Sequence, residues 1–278
     1  MLFDPAGPVF QAAVAPFLVS FVLVGVIFGL ARGPYKASLP VVGAAVAILV
    51  AYWLAFSWPP FPPRAASQKL GYLFAASTLL SLLLAFRSSR PDIGRVVAYV
   101  AVIAGLVWIA QSRITQGQFV DVALVLVFAA IAVFGLARRR DETVDNGVAV
   151  LVLAFAVALI ALLAPSGSIL QLSLASAAAI GGYLVWTWPK RRLNFSEAGI
   201  LAVGAPLIWL GGQASLYSGA NDVALAIAAL IPFAPSIRAA VLHSPAFAKD
   251  WLRPIATGVI AVAIGAVAVA VALFVPTN

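Results

Sequence analysis

The chain has no cysteine, one histidine and one methionine in 278 residues, and only nine acidic side chains. Without cysteine there is neither a disulfide framework nor a Cys-ligated zinc or iron–sulfur site, and one histidine is too few for a His-based metal or haem cluster. No cofactor is therefore expected. Charge of either sign is scarce, at 9% of residues, against roughly a quarter in a soluble domain. Apolar residues make up 64%, well above the roughly 45–50% that a water-soluble fold carries. A chain of this composition cannot hide its apolar surface from water and reads as an integral membrane protein.

A bilayer-crossing helix needs about 20 predominantly apolar residues, and such runs recur along the whole chain. Ten are expected, near residues 9–30, 39–57, 70–86, 96–111, 119–137, 147–164, 168–188, 198–217, 223–241 and 255–275. A transmembrane barrel would show short strands of strict alternation; these runs are longer and apolar on every face. The expected fold is thus all-α, a polytopic helix bundle forming a single membrane domain over residues 1–278 with no soluble domain. Met1 to Pro5 lack the basic start of a secretory signal, so the first span is expected to be retained.

Cytoplasmic loops of membrane proteins hold an excess of Lys and Arg. With ten spans, one set of alternate loops holds fourteen of the seventeen cations, and the other holds only Arg64, Lys69 and Arg113. Six acids lie with the fourteen and three with the three, so the inner face carries +8 and the outer face none. The expected topology has both termini outside, in a bacterial-type inner membrane. The densest clusters, Arg138-Arg139-Arg140 and Lys190-Arg191-Arg192, read as topogenic anchors that also attract anionic lipid at the inner face, not as a nucleic-acid surface. They could also dock a cytoplasmic partner.

Landmarks repeat. Phe28-Gly29-Leu30-Ala31-Arg32 matches Phe134-Gly135-Leu136-Ala137-Arg138, and Trp53-Leu54-Ala55, Trp108-Ile109-Ala110 and Trp209-Leu210-Gly211 recur near the outer ends of even-numbered spans. Spacings of about 50–55 residues, or twice that, suit five tandem helical hairpins. An inverted five-plus-five arrangement is the alternative.

An ionisable group at mid-depth would mark a functional site, but all nine acids and seventeen bases fall in loops or within a turn of a span's end. Asp141, Glu142 and Asp145 read as a solvated loop, and His243 as solvent-facing. No catalytic triad, paired acids or phosphate loop is present, so the chain is not expected to be an enzyme. What remains is polar and uncharged at the outer end: Gln111, Gln116 and Gln118, Gln171 and Ser173, then Gln213, Ser215, Tyr217 and Asn221. Amides both donate and accept hydrogen bonds. Trp108, Gln111, Gln171, Trp209, Gln213 and Tyr217 are therefore candidate ligand contacts in an outward-facing cleft, against the plainer reading of interfacial decoration.

Helix breakers single out the eighth and ninth spans. Gly204, Pro206, Gly211 and Gly212 fall within nine residues, and Pro232 and Pro235 interrupt the ninth. Gly204, Pro206, Pro232 and Pro235 are candidate hinges, since interrupted spans often border binding cavities. The loop Ser57-Trp58-Pro59-Pro60-Phe61-Pro62-Pro63-Arg64 should be stiff and extended. Small residues, Ala175 to Ala179 with Gly181 and Gly182 above all, suit close helix packing. Two functional readings follow: a transporter or facilitator of a small neutral, zwitterionic or amphipathic solute, or a noncatalytic subunit or scaffold of a larger membrane complex.

Overall fold

A computed structural model describes residues 7–87, 91–138, 143–189, 193–242 and 251–275. Asp4, Arg90, Arg139, Arg140, Asp141, Glu142, the cluster at residues 190–192, His243, Lys249 and Asp250 lie outside the described residues. Everything regular among those described is helical. Ten apolar helices follow one another: α1 Phe10–Leu30, α2 Val41–Phe56, α3 Ala66–Phe86, α4 Pro91–Ile109, α5 Phe119–Arg138, α6 Thr143–Leu163, α7 Gly167–Thr187, α8 Ser196–Ser218, α9 Asp222–Val241 and α10 Leu252–Phe274. Eight are long and apolar enough to cross a membrane; α2 and the Ile93–Ile109 stretch of α4 are shorter.

Two ends of the bundle are marked by hydrogen bonds between distant segments. At one, the Ser38 hydroxyl donates to Ala85 O and the Asn194 N–H to Ala37 O, while a Cβ added at Gly94 would meet the Glu197 side chain. This is the basic end. At the other, Gln171 donates to Gln11, Tyr52 to Ser67 O, Ser218 to Ser166, and Asn221 to Val275 O. This end is poor in charge.

Helix α8 is the axis. It touches α2, α3, α4, α5, α6 and α7, and 89% of its most apolar stretch is buried inside the protein, against 22% for α1 and for α10. Helix α1 lies in the groove between α2 and α7, and α10 lies against α6 and α9. Because lipid is as apolar as the protein core, helices associate through close packing. At Gly182 the backbones of α7 and α1 nearly touch: an added Cβ would stand 2.8 Å from Phe17 O and 2.9 Å from Phe21 N.

Prolines decide where these helices depart from α geometry. In α1 and α8 the residue before a proline closes a wide turn. The Ala15 N–H reaches Phe10 O ahead of Pro16, and the Ala205 N–H reaches Ile200 O ahead of Pro206. Proline lacks an N–H and its ring crowds the carbonyl four residues back; a π turn widens the spacing to five and relieves that conflict. Helix α9 is broken outright. Its first part, Asp222–Ala228, starts on Asn221, whose side chain accepts the Ala224 N–H. A tight turn at Ile231–Phe233 holds Pro232, and the helix resumes at Ala234–Val241 with Pro235 in its first turn.

Helix limits overrun the apolar runs at both ends of the molecule. Helix α3 begins at Ala66 and takes in Lys69; α6 begins at Thr143 and takes in Asp145 and Asn146. The expectation of a solvated loop at Asp145 does not hold. Its side chain is fully buried, accepts a hydrogen bond from Thr257 of α10 at 3.0 Å, and lies 3.8 Å from the Arg253 guanidinium. A carboxylate in the first turn of a helix is favoured by the exposed N–H groups there.

Candidate functional site at the charge-poor end

Tyr72 ties the proline-rich loop back onto the bundle, and Tyr52 ties α2 to the start of α3. Tyr72 donates to Pro59 O at 2.9 Å, and the rings of Trp58 and Phe61 meet Tyr72 edge-on, with centroids 5.5 and 6.0 Å away. Tyr52, buried at the end of α2, donates to Ser67 O at 3.1 Å. The first turn of α3 is fixed by Gln68, whose Oε1 accepts the N–H groups of Arg64 and Ala65 at 2.9 and 3.2 Å. A glutamine at this position reaching back to the helix start satisfies donors that would otherwise be orphaned. The loop is thus tied down as a cover over the ends of α2 and α3.

Beneath it is a cavity of about 230 Å³. Its walls are Tyr52, Phe56, Trp58 and the prolines on one side, Ser67, Gln68 and Leu70 of α3, Ser168, Ile169 and Leu172 of α7, and Gln213 of α8. None of these carries a charge. Gln213 is 7% exposed, and its Oε1 is buried with no hydrogen-bond partner. A buried acceptor left unsatisfied costs about 1–3 kcal/mol, so the Gln213 amide at the cavity wall gains a partner if its side chain turns its oxygen towards a donor in the cavity.

Five of the six expected ligand contacts share this end of the molecule, Trp209 lies deeper, and together they do not form one cleft. Gln213 lines the cavity. Trp108 and Gln111 gather around Lys69, whose ammonium donates to Trp108 O at 2.6 Å and Gln111 Oε1 at 3.2 Å and lies 5.8 Å from the Trp108 ring centre. Gln171 Nε2 donates to Gln11 Oε1 at 3.3 Å. Tyr217 donates to Ile109 O at 2.9 Å and stands 2.6 Å from the Ser112 hydroxyl. Trp209 is buried, donates to Val102 O at 3.0 Å and packs onto Gly105, where a Cβ would come within 2.5 Å of its Nε1. It joins α8 to α4 and does not line this cavity.

Of the four candidate hinges, Gly204 and Pro206 flank the end of the π turn of α8, and Pro232 and Pro235 flank the resumption of α9. The contributions of Tyr52, Tyr72, Gln68 and Ser168 were not anticipated. The available signal was a tyrosine and a glutamine on either side of a proline run, residues that can tie such a run down. Among the described residues no group of His, Cys, Asp or Glu could hold a metal. The chain matches no protein-family model, no curated protein and no solved structure.

Proposed function

We propose that the protein is a ten-span inner-membrane carrier or facilitator of the bacterial type, both termini outside, that takes up a small neutral solute at its outer end. The observation that carries this reading is the uncharged cavity itself, whose wall includes the amide of Gln213, the oxygen of which is buried without a protein partner. A solute bound there would donate a hydrogen bond to Gln213 and rest against Trp58 and Phe56. The missing charge disfavours ions, which would lose hydration without compensation. Movement would come from the wide turn of the axial α8 and the break in α9, which packs against α5 and α6. Covalent chemistry is not part of the proposal. At the inner end the cationic loops would hold anionic lipid.

Ten spans require α2 and α4 to cross. In support, each runs between the two ends: α2 from the neighbourhood of Ala37 to the cavity, α4 from Glu197 to Lys69. At 16 residues α2 is about 24 Å long, short of the roughly 30 Å hydrocarbon core, and flanking residues or local thinning would make up the difference. The packed axis favours a second reading, a noncatalytic subunit of a larger complex, because a helix fills the place where a permanent pore would run.

Stopped-flow light scattering of proteoliposomes under glycerol, urea and glycine betaine gradients separates the two. The carrier reading expects faster re-swelling than in protein-free vesicles for at least one solute. Gln213→Leu should reduce that rate at least tenfold, and Gln171→Leu, outside the cavity, should leave it within twofold. No acceleration with any of the three would favour the subunit reading.

A further inference from the structure

A second cavity, of about 510 Å³, opens at the charge-poor end on a different side of α8. Unlike the first it is charged. Arg113 lines it with Asp121, at the start of α5, and Asp222, at the start of α9. Directly adjoining it, with Ser215 as a shared wall, is a pocket of about 50 Å³ lined by α5, α6, α8 and α9. Apart from Ser215, every side chain lining this pocket is apolar. The interior wall is bare at Gly211, where an added Cβ would meet nothing nearer than Leu225 Cδ2 at 3.9 Å.

We propose that the two cavities form one site for a single-chain zwitterionic amphiphile, a lysophospholipid with an amine head group. The charges point to this occupant. Arg113 spends one N–H on Gln118 Oε1, at 2.6 Å, and lies over the Tyr217 ring at 5.0 Å; its remaining donors suit a phosphate. Asp222 accepts the Ser215 hydroxyl on one oxygen, and its other oxygen and the exposed Asp121 carboxylate suit an ammonium. An anionic lipid would bring its net charge against two carboxylates with one guanidinium to balance them. A neutral glyceride would leave all three charges unused. The neighbouring pocket is apolar and, at about 50 Å³, takes the first few methylenes of one acyl chain and not those of two. Ser215 lies where head group gives way to tail.

The site shares no lining residue with the Gln213 cavity, so either assignment can fail without the other. The test uses the full chain in detergent with lysophosphatidylethanolamine carrying a diazirine in the acyl chain close to the head group. Photolabel should be saturable and fall on peptides spanning Val125–Ala132, Gly211–Ser215 and Leu225–Ala229. Unlabelled lysophosphatidylethanolamine should compete at least tenfold better than lysophosphatidylglycerol. Gly211→Leu, which fills the bare wall, should cut labelling at least tenfold while Gln213→Leu leaves it unchanged. The pair Asp121→Asn and Asp222→Asn should retain the tail label and lose the head-group preference; it decides the matter should Gly211→Leu not elute as a folded protein. Label spread over the lipid-facing sides of α1 and α10, or a head-group preference unaltered by the two Asn substitutions, would overturn the proposal.

Discussion

Lys69 is 7% exposed in the first turn of α3, and its ammonium is held by the Trp108 carbonyl and the Gln111 amide oxygen. Trp108 O belongs to the last turn of α4, whose carbonyls have no partners within the helix. A cation there satisfies one of them and opposes the negative end of the helix dipole. Lys69→Met should leave two acceptors short of a donor and cost roughly 1–3 kcal/mol, read as a lower melting temperature in detergent, with Lys69→Arg recovering part of the loss. Sequence position placed Lys69 and Asp145 near span ends, and so they are. What position could not reveal was burial, because a charged residue at a span's end is hidden or solvated according to what the neighbouring helices bring to it. Thr257 and Arg253 come from α10, more than a hundred residues from Asp145. The same limit affects the repeated landmarks: Trp53 is 56% exposed and Trp209 is 2% exposed, so matching short motifs do not stand in matching surroundings. Gly29 faces open space while Gly135 packs on Pro232 and Phe233.

Among the helices, α8 and α9 combine the irregularities that sequence alone suggested with a position that it did not. Proline and glycine are legible because their backbone consequences are local, and the broken α9 follows from Pro232 and Pro235 directly. The central place of α8 was not legible. All ten helices are apolar all round, and in lipid a core-facing surface needs no more apolarity than a lipid-facing one, so no amphipathic stripe distinguishes axis from periphery. The π turn at Ile200–Gly204 holds one residue more than a regular helix would over the same rise. Deleting Ala202 together with Pro206→Ala should convert it to α geometry while keeping Gln213 in register with the cavity. If α8 moves during transport, this variant should elute as a folded protein, melt no lower than the parent and lose at least threefold in solute flux. Unchanged flux would remove the α8 turn from the mechanism without touching the Gln213 site.

For the whole molecule, the distribution of charge fits two topologies. One helix too many or too few would scramble the alternation of basic and neutral loops. Two errors, however, cancel. If neither α2 nor α4 crossed, Arg87, Arg90 and Arg95 would change sides in one direction and Arg64 and Lys69 in the other, leaving thirteen cations against four in place of fourteen against three. Both splits satisfy the inner-positive rule, so the topology turns on the two shortest helices. The absence of cysteine makes this directly measurable, since any introduced thiol is the only one in the chain. Arg32→Cys and Phe61→Cys flank α2; Arg87→Cys and Gln116→Cys flank α4. All four positions are exposed. In intact spheroplasts a membrane-impermeant maleimide should label Phe61→Cys and Gln116→Cys, and it should label Arg32→Cys and Arg87→Cys only after lysis. Matching behaviour within a pair would show that its helix does not cross. A clean reversal in both pairs would keep ten spans and invert the molecule, placing the Gln213 cavity and the charged cavity beside it on the cytoplasmic side.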